Sequence, residues 1–221
     1  MTEQDRIRAY YAANKWRGSA GTEYFARERT RYLHALADEL GKPRSNLAIC
    51  DVGCGAGTEL VRWREAGVPE SQLAGTELVR ERAAMAEAAV PTADIQLVDG
   101  ATLPFGDERF DICTASLVLS SILDTSMRRQ LLVEMARVTA PGGIVVVHDF
   151  RIRKPWNRNV VAITDRVLMN AWRTPDCVVK TGRFLPALDI ALRFPRPIAG
   201  TVIKLLPRTH RLWVWKIATD R

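Results

Sequence analysis

Between Asp51 and Gly57 the chain reads DVGCGAG, an acid followed by three glycines at alternate positions. Glycine loses the most conformational freedom on ordering, so three together imply a sharp turn or a backbone that a ligand must touch. Two more acids stand at the ends of later apolar runs, Glu77 in GTEL and Asp99 in VDGA. A phosphate ligand does not suit this pattern. The dinucleotide fingerprint is G-x-G-x-x-G, and Thr58 stands where its third glycine would be; no Gly-Lys-Ser/Thr follows either. A carboxylate at Asp51 would repel a pyrophosphate and attract a cation. S-adenosylmethionine carries an ammonium and a sulfonium and no phosphate. Glu77 could then accept from both ribose hydroxyls, the use dinucleotide folds make of an acid at that place. Asp99, followed by the small Gly100 and Ala101, could accept from an adenine amino group. A single strand-end acid is more often a turn or capping residue than a ligand. Three at successive strand ends are harder to explain that way.

The elements that position these residues follow from local patterning. Residues 5–16 and 23–40 read as helices, the second with Phe25, Tyr32, Leu33, Leu36 and Leu40 near helical spacing and Gly41-Lys-Pro43 closing it. NLAICDVG, QLAGTEL and DIQLVDG read as strands, each followed by a turn or helix signal. TELVRWREAG and VRERAAMAEAA are the helices between them. A fourth strand is expected over Phe110–Ser116. DTSMRRQLLVEMARVTAPGG is a helix with Leu131, Leu132, Met135 and Val138 on its apolar face, stopped by Pro141-Gly-Gly143. IVVVHDF is a fifth, fully buried strand. This alternation predicts a parallel sheet with right-handed crossovers, whose carboxyl edge is where such folds bind ligands. Beyond Phe150, NVVAITDRVLMNAW reads as an amphipathic helix and HRLWVWKIA as a strand, while prolines leave strand and helix competing over residues 184–200.

DVGCGAGTEL, GTEL, VDGATLPFGDERFD and ARVTAPGGIVVVHDF, in that order, resemble the successive motifs of class I S-adenosylmethionine-dependent methyltransferases. The resemblance spans residues 45–150 and is greatest to the group that includes ubiquinone/menaquinone-biosynthesis enzymes and other small-molecule modifiers. It implies a Rossmann-like, doubly wound α/β sheet of seven strands, mostly parallel with an antiparallel last strand. It also implies one domain: a helical lid over residues 1–44, a cofactor-binding core over 45–150, and a basic acceptor-specificity segment over 151–221. Asp51, Gly53, Cys54, Gly55 and Gly57 would meet the methionine end, Glu77 and Leu78 the ribose, and Asp99, Gly100 and Ala101 the adenine. Ser116 and Leu117 would flank the methyl donor, and Tyr10, Tyr11 or Trp16 could close over it.

Methyl transfer is an in-line displacement, so alignment carries most of the work, and a base is needed only if the acceptor arrives protonated. His148 and Asp149, ending the fifth strand, are the candidate catalytic residues; the competing reading is that they tie down the next segment. Ser120 and Ser121 could line the acceptor or cap a helix. His34 and His210 read as packing residues. No metal site is expected. The chain has 221 residues and a net charge of +7, with 15 Lys/Arg against 4 Asp/Glu in residues 151–221 and 17 against 21 before them. The basic third, with Trp156, Trp172, Trp213 and Trp215, could face an anionic or lipid-like small molecule or a membrane surface. Nucleic acid is disfavoured, since strand four ends TASLVLSS and not in the Asn/Asp-Pro-Pro-aromatic run of base-amine methylation. Four scattered cysteines and no apolar leader fit a reduced, cytoplasmic chain. A noncatalytic cofactor-binding protein and a nicotinamide-dependent oxidoreductase are the rival readings from other classes.

Overall fold

A computed structural model describes residues 1–13, 19–98, 100–153, 157–172, 177–183 and 185–219, with the side chains of Cys177 and Val178 excepted. Two helices come first, α1 (Glu3–Ala13) and α2 (Ala20–Glu39). The core then alternates: β1 (Ile49–Val52), α3 (Thr58–Glu65), β2 (Leu73–Glu77), α4 (Arg80–Ala89), β3 (Asp94–Leu97), β4 (Phe110–Ser116), α5 (Thr125–Arg137) and β5 (Thr139–Phe150). The last part carries α6 (Asp165–Met169), β6 (Cys177–Arg183), α7 (Leu185–Ala191), α8 (Arg196–Leu205) and β7 (Arg208–Lys216). The strands form one sheet in the order β3-β2-β1-β4-β5-β7-β6. β1 to β5 pair in parallel, and β7 runs antiparallel to both β5 and β6. The expected seven-stranded sheet with an antiparallel last strand is therefore what the chain forms.

Strand parity splits the core into two layers. Cys50, Val52, Cys113, Ala115, Val145 and Val147 pack with Ile7 of α1, Leu131, Leu132 and Met135 of α5, and Leu168 of α6. Their neighbours Ile49, Ile112, Ile144, Val146, Leu212 and Val214 pack on the other face with Leu33 and Leu36 of α2, Leu60 and Trp63 of α3, and Ala86 of α4. Alternate side chains of a strand point to opposite faces, so each strand feeds both layers. Asp124 starts α5 by accepting the Met127 amide at 2.8 Å, and Ser19 starts α2 through a capping box with Thr22.

Four expectations need correction. Pro141-Gly-Gly143 does not stop a helix outside the sheet. It lies within β5, where the pairing with β4 slips between Phe110–Thr139 and Ile112–Ile144; the irregularity uses the glycines and the residue without an amide. The helix expected over NVVAITDRVLMNAW shortens to Asp165–Met169, because residues 159–164 bond outward instead: the Val161 amide to Ser120 O and the Ile163 amide to Phe150 O. β6 was not foreseen, whereas the ambiguous stretch after it is two helices, with Pro197 in the first turn of α8, where its missing amide costs nothing. The described tryptophans of the basic third do not form an interfacial belt: Trp172 and Trp213 are buried, and Trp172 stacks on the half-buried Trp215 at 5.4 Å; Trp156 lies outside the described residues.

Candidate functional site at the carboxyl edge of the sheet

The loop between β1 and α3 is built from backbone. Gly53, Gly55 and Gly57 have φ of +68°, +59° and +76°, a region that L side chains rarely enter. At Gly53 a Cβ would stand 2.5 Å from Val118 Cγ2, so the exits of β1 and β4 touch there. At Gly55 a Cβ would meet no atom within 4 Å; the loop is open on that side. Cys54, between them, turns its side chain inward against Gly75 of β2, and its amide donates to Thr76 O at 2.9 Å. Burial pushes this thiol well above its ordinary range. Cys54 therefore anchors the loop to β2 by packing.

Two of the three acids lie on one face of neighbouring strands. Asp51 is 5% exposed, and its Oδ1 accepts from Thr114 Oγ1 at 2.8 Å across the β1–β4 pair. Burial pushes its pKa up to about 7; Glu59 and Glu77 add to the rise, while Thr114 and Arg29 oppose it. Among the described residues no cation is bonded to Asp51, since Arg29 is paired with Glu59 at 2.5 Å. A buried carboxyl in this state gains from a cationic ligand. Glu77 is also buried, and its carboxylate accepts three amides: Leu78 at 2.8 Å and Val79 at 2.9 Å on Oε1, and Gly55 at 2.9 Å on Oε2. It ties the glycine loop to the exit of β2 and keeps about one of its four acceptor positions. Asp99 lies outside the described residues. Gly100 has open space where a side chain would be, whereas Ala101 is buried in the core. Glu77→Ala is accordingly expected to weaken S-adenosylhomocysteine binding by tenfold or more, since it removes a sugar acceptor and releases Gly55. Calorimetry on the two proteins checks this, and unchanged affinity would remove Glu77 from the site.

The β4 exit is strained. Leu117 has φ +60° without being glycine, held by its amide bond to His148 O at 2.8 Å. Ser116, before it, is half-buried. β1 lies between β2 and β4 in the sheet, and α1 is strapped to the exits of both. Arg6 donates to Ser121 O at 2.5 Å and pairs with Glu3, which takes the Leu123 amide; Arg8 Nε reaches Leu78 O at 3.4 Å. The Tyr11 hydroxyl bonds Ser121 Oγ at 2.7 Å, and the Arg82 guanidinium lies 4.4 Å over its ring. These contacts place α1 across the glycine loop. Sequence reading singled out the aromatic residues and missed Glu3, Arg6 and Arg8, although Glu3 and Arg6 stand at a pairing distance along a helix. Trp16 lies outside the described residues.

His148 and Asp149 are separated by strand parity. His148 faces the α2 layer, 1% exposed, its Nε2 bonded to Thr181 Oγ1 at 2.7 Å and its ring stacked on His210 at 5.6 Å. Burial, with the charges of Arg29 and His210, holds its pKa well below the ordinary imidazole value. Asp149 faces the α1 layer, fully buried, with Oδ2 accepting the Ser120 amide at 2.9 Å and Oδ1 the Phe150 amide at 2.7 Å. Burial pushes its pKa up to about 6 against those hydrogen bonds. The two do not form one acid–base unit. Asp149 instead caps the turn that follows β4, and Ser120 and Ser121 are held within that turn.

Comparison with known proteins agrees with this geometry. The family described as "Methyltransferase domain" matches residues 50–147. Malonyl-[acyl-carrier protein] O-methyltransferase of Erwinia billingiae is 33% identical over 149 residues, 67% of this chain and 53% of that protein. Demethylmenaquinone methyltransferase of Mycobacterium sp. (strain KMS) is 42% identical over 73 residues, 33% of this chain and 30% of its own. The chain thus spans about half the length, or less, of these relatives. Among solved structures, geranyl diphosphate C-methyltransferase from Streptomyces coelicolor A3(2), in complex with Mg2+, geranyl diphosphate and S-adenosyl-L-homocysteine, superposes with a TM-score of 0.68 at 15% identity, covering 98% of each chain. At that identity the likeness speaks for the fold.

Proposed function

Since the chain belongs to the class I S-adenosylmethionine-dependent methyltransferases, we propose that it methylates an oxygen of a small-molecule acceptor that arrives already ionised, such as a carboxylate. The observation that carries the cofactor half is the pair of buried acids on one sheet face, with the side-chain-free Gly55 bonded to Glu77. Asp51 would hold the ammonium, Glu77 the ribose, and the chain at Gly100 and Ala101 the adenine, with Asp99 as its acceptor. When bound, S-adenosylmethionine supplies a methyl on a sulfonium, a leaving group that needs no further activation. This chain's own residues position the acceptor behind that methyl and exclude water, which is where most of the rate comes from.

The acceptor half rests on two supports. The Erwinia billingiae relative is an O-methyltransferase by name. His148 and Asp149 are both engaged by protein partners, which suits an acceptor needing no base. They then serve as positioning residues for the β4 and β5 exits. The basic charge of residues 151–221 suits an anionic acceptor.

The test is an acceptor screen with labelled S-adenosylmethionine, followed by His148→Ala and Asp149→Asn on the best acceptor. Turnover within a few-fold of the parent, without a new pH dependence, is expected from any variant that still binds S-adenosylhomocysteine. A variant that binds normally but loses a hundredfold in kcat would restore the general-base reading. Binding of a nicotinamide dinucleotide in place of S-adenosylmethionine would overturn the proposal altogether.

A further inference from the structure

The helices α7 and α8 join β6 to β7 and form a small unit of their own around Leu188, Ala191 and Ile203. β6 runs in the direction of β5, because each is antiparallel to β7, so its last residue, Arg183, lies at the same sheet edge as the exits of β1, β2 and β4. Arg183 pairs with Arg208 at the start of β7, so the intervening helices stand at that edge too. They dock on α2, where Asp189 Oδ1 accepts the Gly21 amide at 2.7 Å.

This unit also exposes apolar and cationic side chains away from its small core. Ile190, Phe194, Ile198 and Leu205 are 58%, 49%, 51% and 81% exposed. On α8, Ile198, Val202 and Leu205 follow i, i+4, i+7 spacing and share one stripe, next to the buried stripe of Ala199 and Ile203. The apolar arc of the helix is thus wider than the domain covers. Arg193, Arg196, Lys204 and Arg208, in the same stretch of chain, are exposed, and Lys204 flanks the stripe on α8. The first three make no ion pair among the described residues, and Arg208 donates to Lys180 O at 2.5 Å. The one acid between 185 and 208, Asp189, is turned to α2.

We propose that this face docks on an anionic lipid bilayer, the aliphatic and Phe194 side chains entering the headgroup boundary and the four cations meeting acidic headgroups. Charge decides among the possible occupants. A second copy placed by a two-fold axis would bring four cations against four. A nucleic acid would use stacking aromatics, and three of the four exposed apolar residues are aliphatic. No described helix is long and apolar enough to cross a membrane, so the contact is made along the surface. This docking does not depend on methyl transfer. It uses other residues than Trp172 and Trp213, which are buried in the core.

Flotation with vesicles of phosphatidylglycerol in phosphatidylcholine, against phosphatidylcholine alone, tests the surface. The protein is expected to float with the anionic vesicles only and to be released by raised salt, as screening requires. Phe194→Ser with Ile198→Ser, and Arg193→Glu with Arg196→Glu, are each expected to cut partitioning at least tenfold, at about fivefold or more per cation. Both double variants should keep S-adenosylhomocysteine affinity, which shows that they remain folded. No flotation, equal binding to neutral vesicles, or undiminished flotation of either double variant overturns the proposal. So does a patch-dependent dimer or RNA complex in a protein that ignores the vesicles.

Discussion

Asp51→Asn is expected to lower S-adenosylhomocysteine affinity by about two orders of magnitude or more and to leave the fold intact. The amide has the shape of the carboxyl and still accepts from Thr114. What it lacks is the charge that a buried ammonium requires. Removing one member of a buried pair costs roughly 3–5 kcal/mol, which is about a hundred- to several thousandfold in affinity. The pH dependence separates this from a packing effect. In the free protein, burial holds Asp51 at about 7, with Glu59 from α3 and Glu77 from β2 raising it and Arg29 from α2 opposing. Below that pH the parent must lose a proton to bind a cation. Its affinity should therefore fall about tenfold per unit as pH drops from 7 towards 5. Asp51→Asn should show no such slope. Stability runs the other way. The native carboxyl holds its proton more tightly than the unfolded one, whose ordinary value is 3.8. Native stability from this group is full below about pH 4 and declines as pH rises to about 7; the asparagine variant should be spared that decline. Calorimetric titrations and melting curves between pH 5 and 8 read both effects. A variant with parental affinity, or with the parental pH slope, would remove Asp51 from the cofactor site.

Gly53→Ala is expected to abolish detectable S-adenosylhomocysteine binding and to lower Tm by roughly 5–15 °C. Two costs add. An L residue at φ +68° is strained by roughly 1–2 kcal/mol. The new methyl would also stand 2.5 Å from Val118 Cγ2, and such overpacking costs typically about 1–3 kcal/mol. In a chain of this length each kcal/mol is worth about 2–4 °C. Val118 has little room to retreat, because it follows the left-handed Leu117, whose amide is bonded to His148 O. The loop must therefore move, carrying with it the Gly55 amide that Glu77 holds. Two comparisons make the argument testable. Adding Val118→Ala removes Cγ2 and should recover about half of the lost stability, leaving the backbone strain. Gly55→Ala, with open space at its Cβ, should cost less Tm while still weakening binding. A Val118→Ala background that gives no recovery would show that the contact at the β1 and β4 exits is not the cause.

Much of the core was legible because it is written locally. Each apolar run that ends in an acid or glycine, followed by a helix opener, is a strand–turn–helix unit whatever surrounds it. That is why β4 begins and ends where its residues predict, at Phe110 and Ser116, and why Asp51 and Glu77 stand at strand ends. The edge strand β6 was not legible, since it is formed by pairing with β7, a partner that follows it after two helices. Nor could spacing alone assign faces. His148 and Asp149 read as a pair because they are neighbours in the chain, and neighbours in a strand look away from each other. Thr114 becomes the partner of Asp51 only once β1 and β4 are in register.

The chain by itself determined the order of its elements, the glycine loop and the acids that end its strands, because turn chemistry and apolar periodicity act over a few residues. Only the tertiary structure decided what those acids meet. Burial from both sheet faces raises Asp51, three converging amides claim Glu77, and α1 crosses the loop through contacts more than a hundred residues apart in sequence. Charge, solvation and reach at a site depend on distances in space, and those arise only after remote segments have packed.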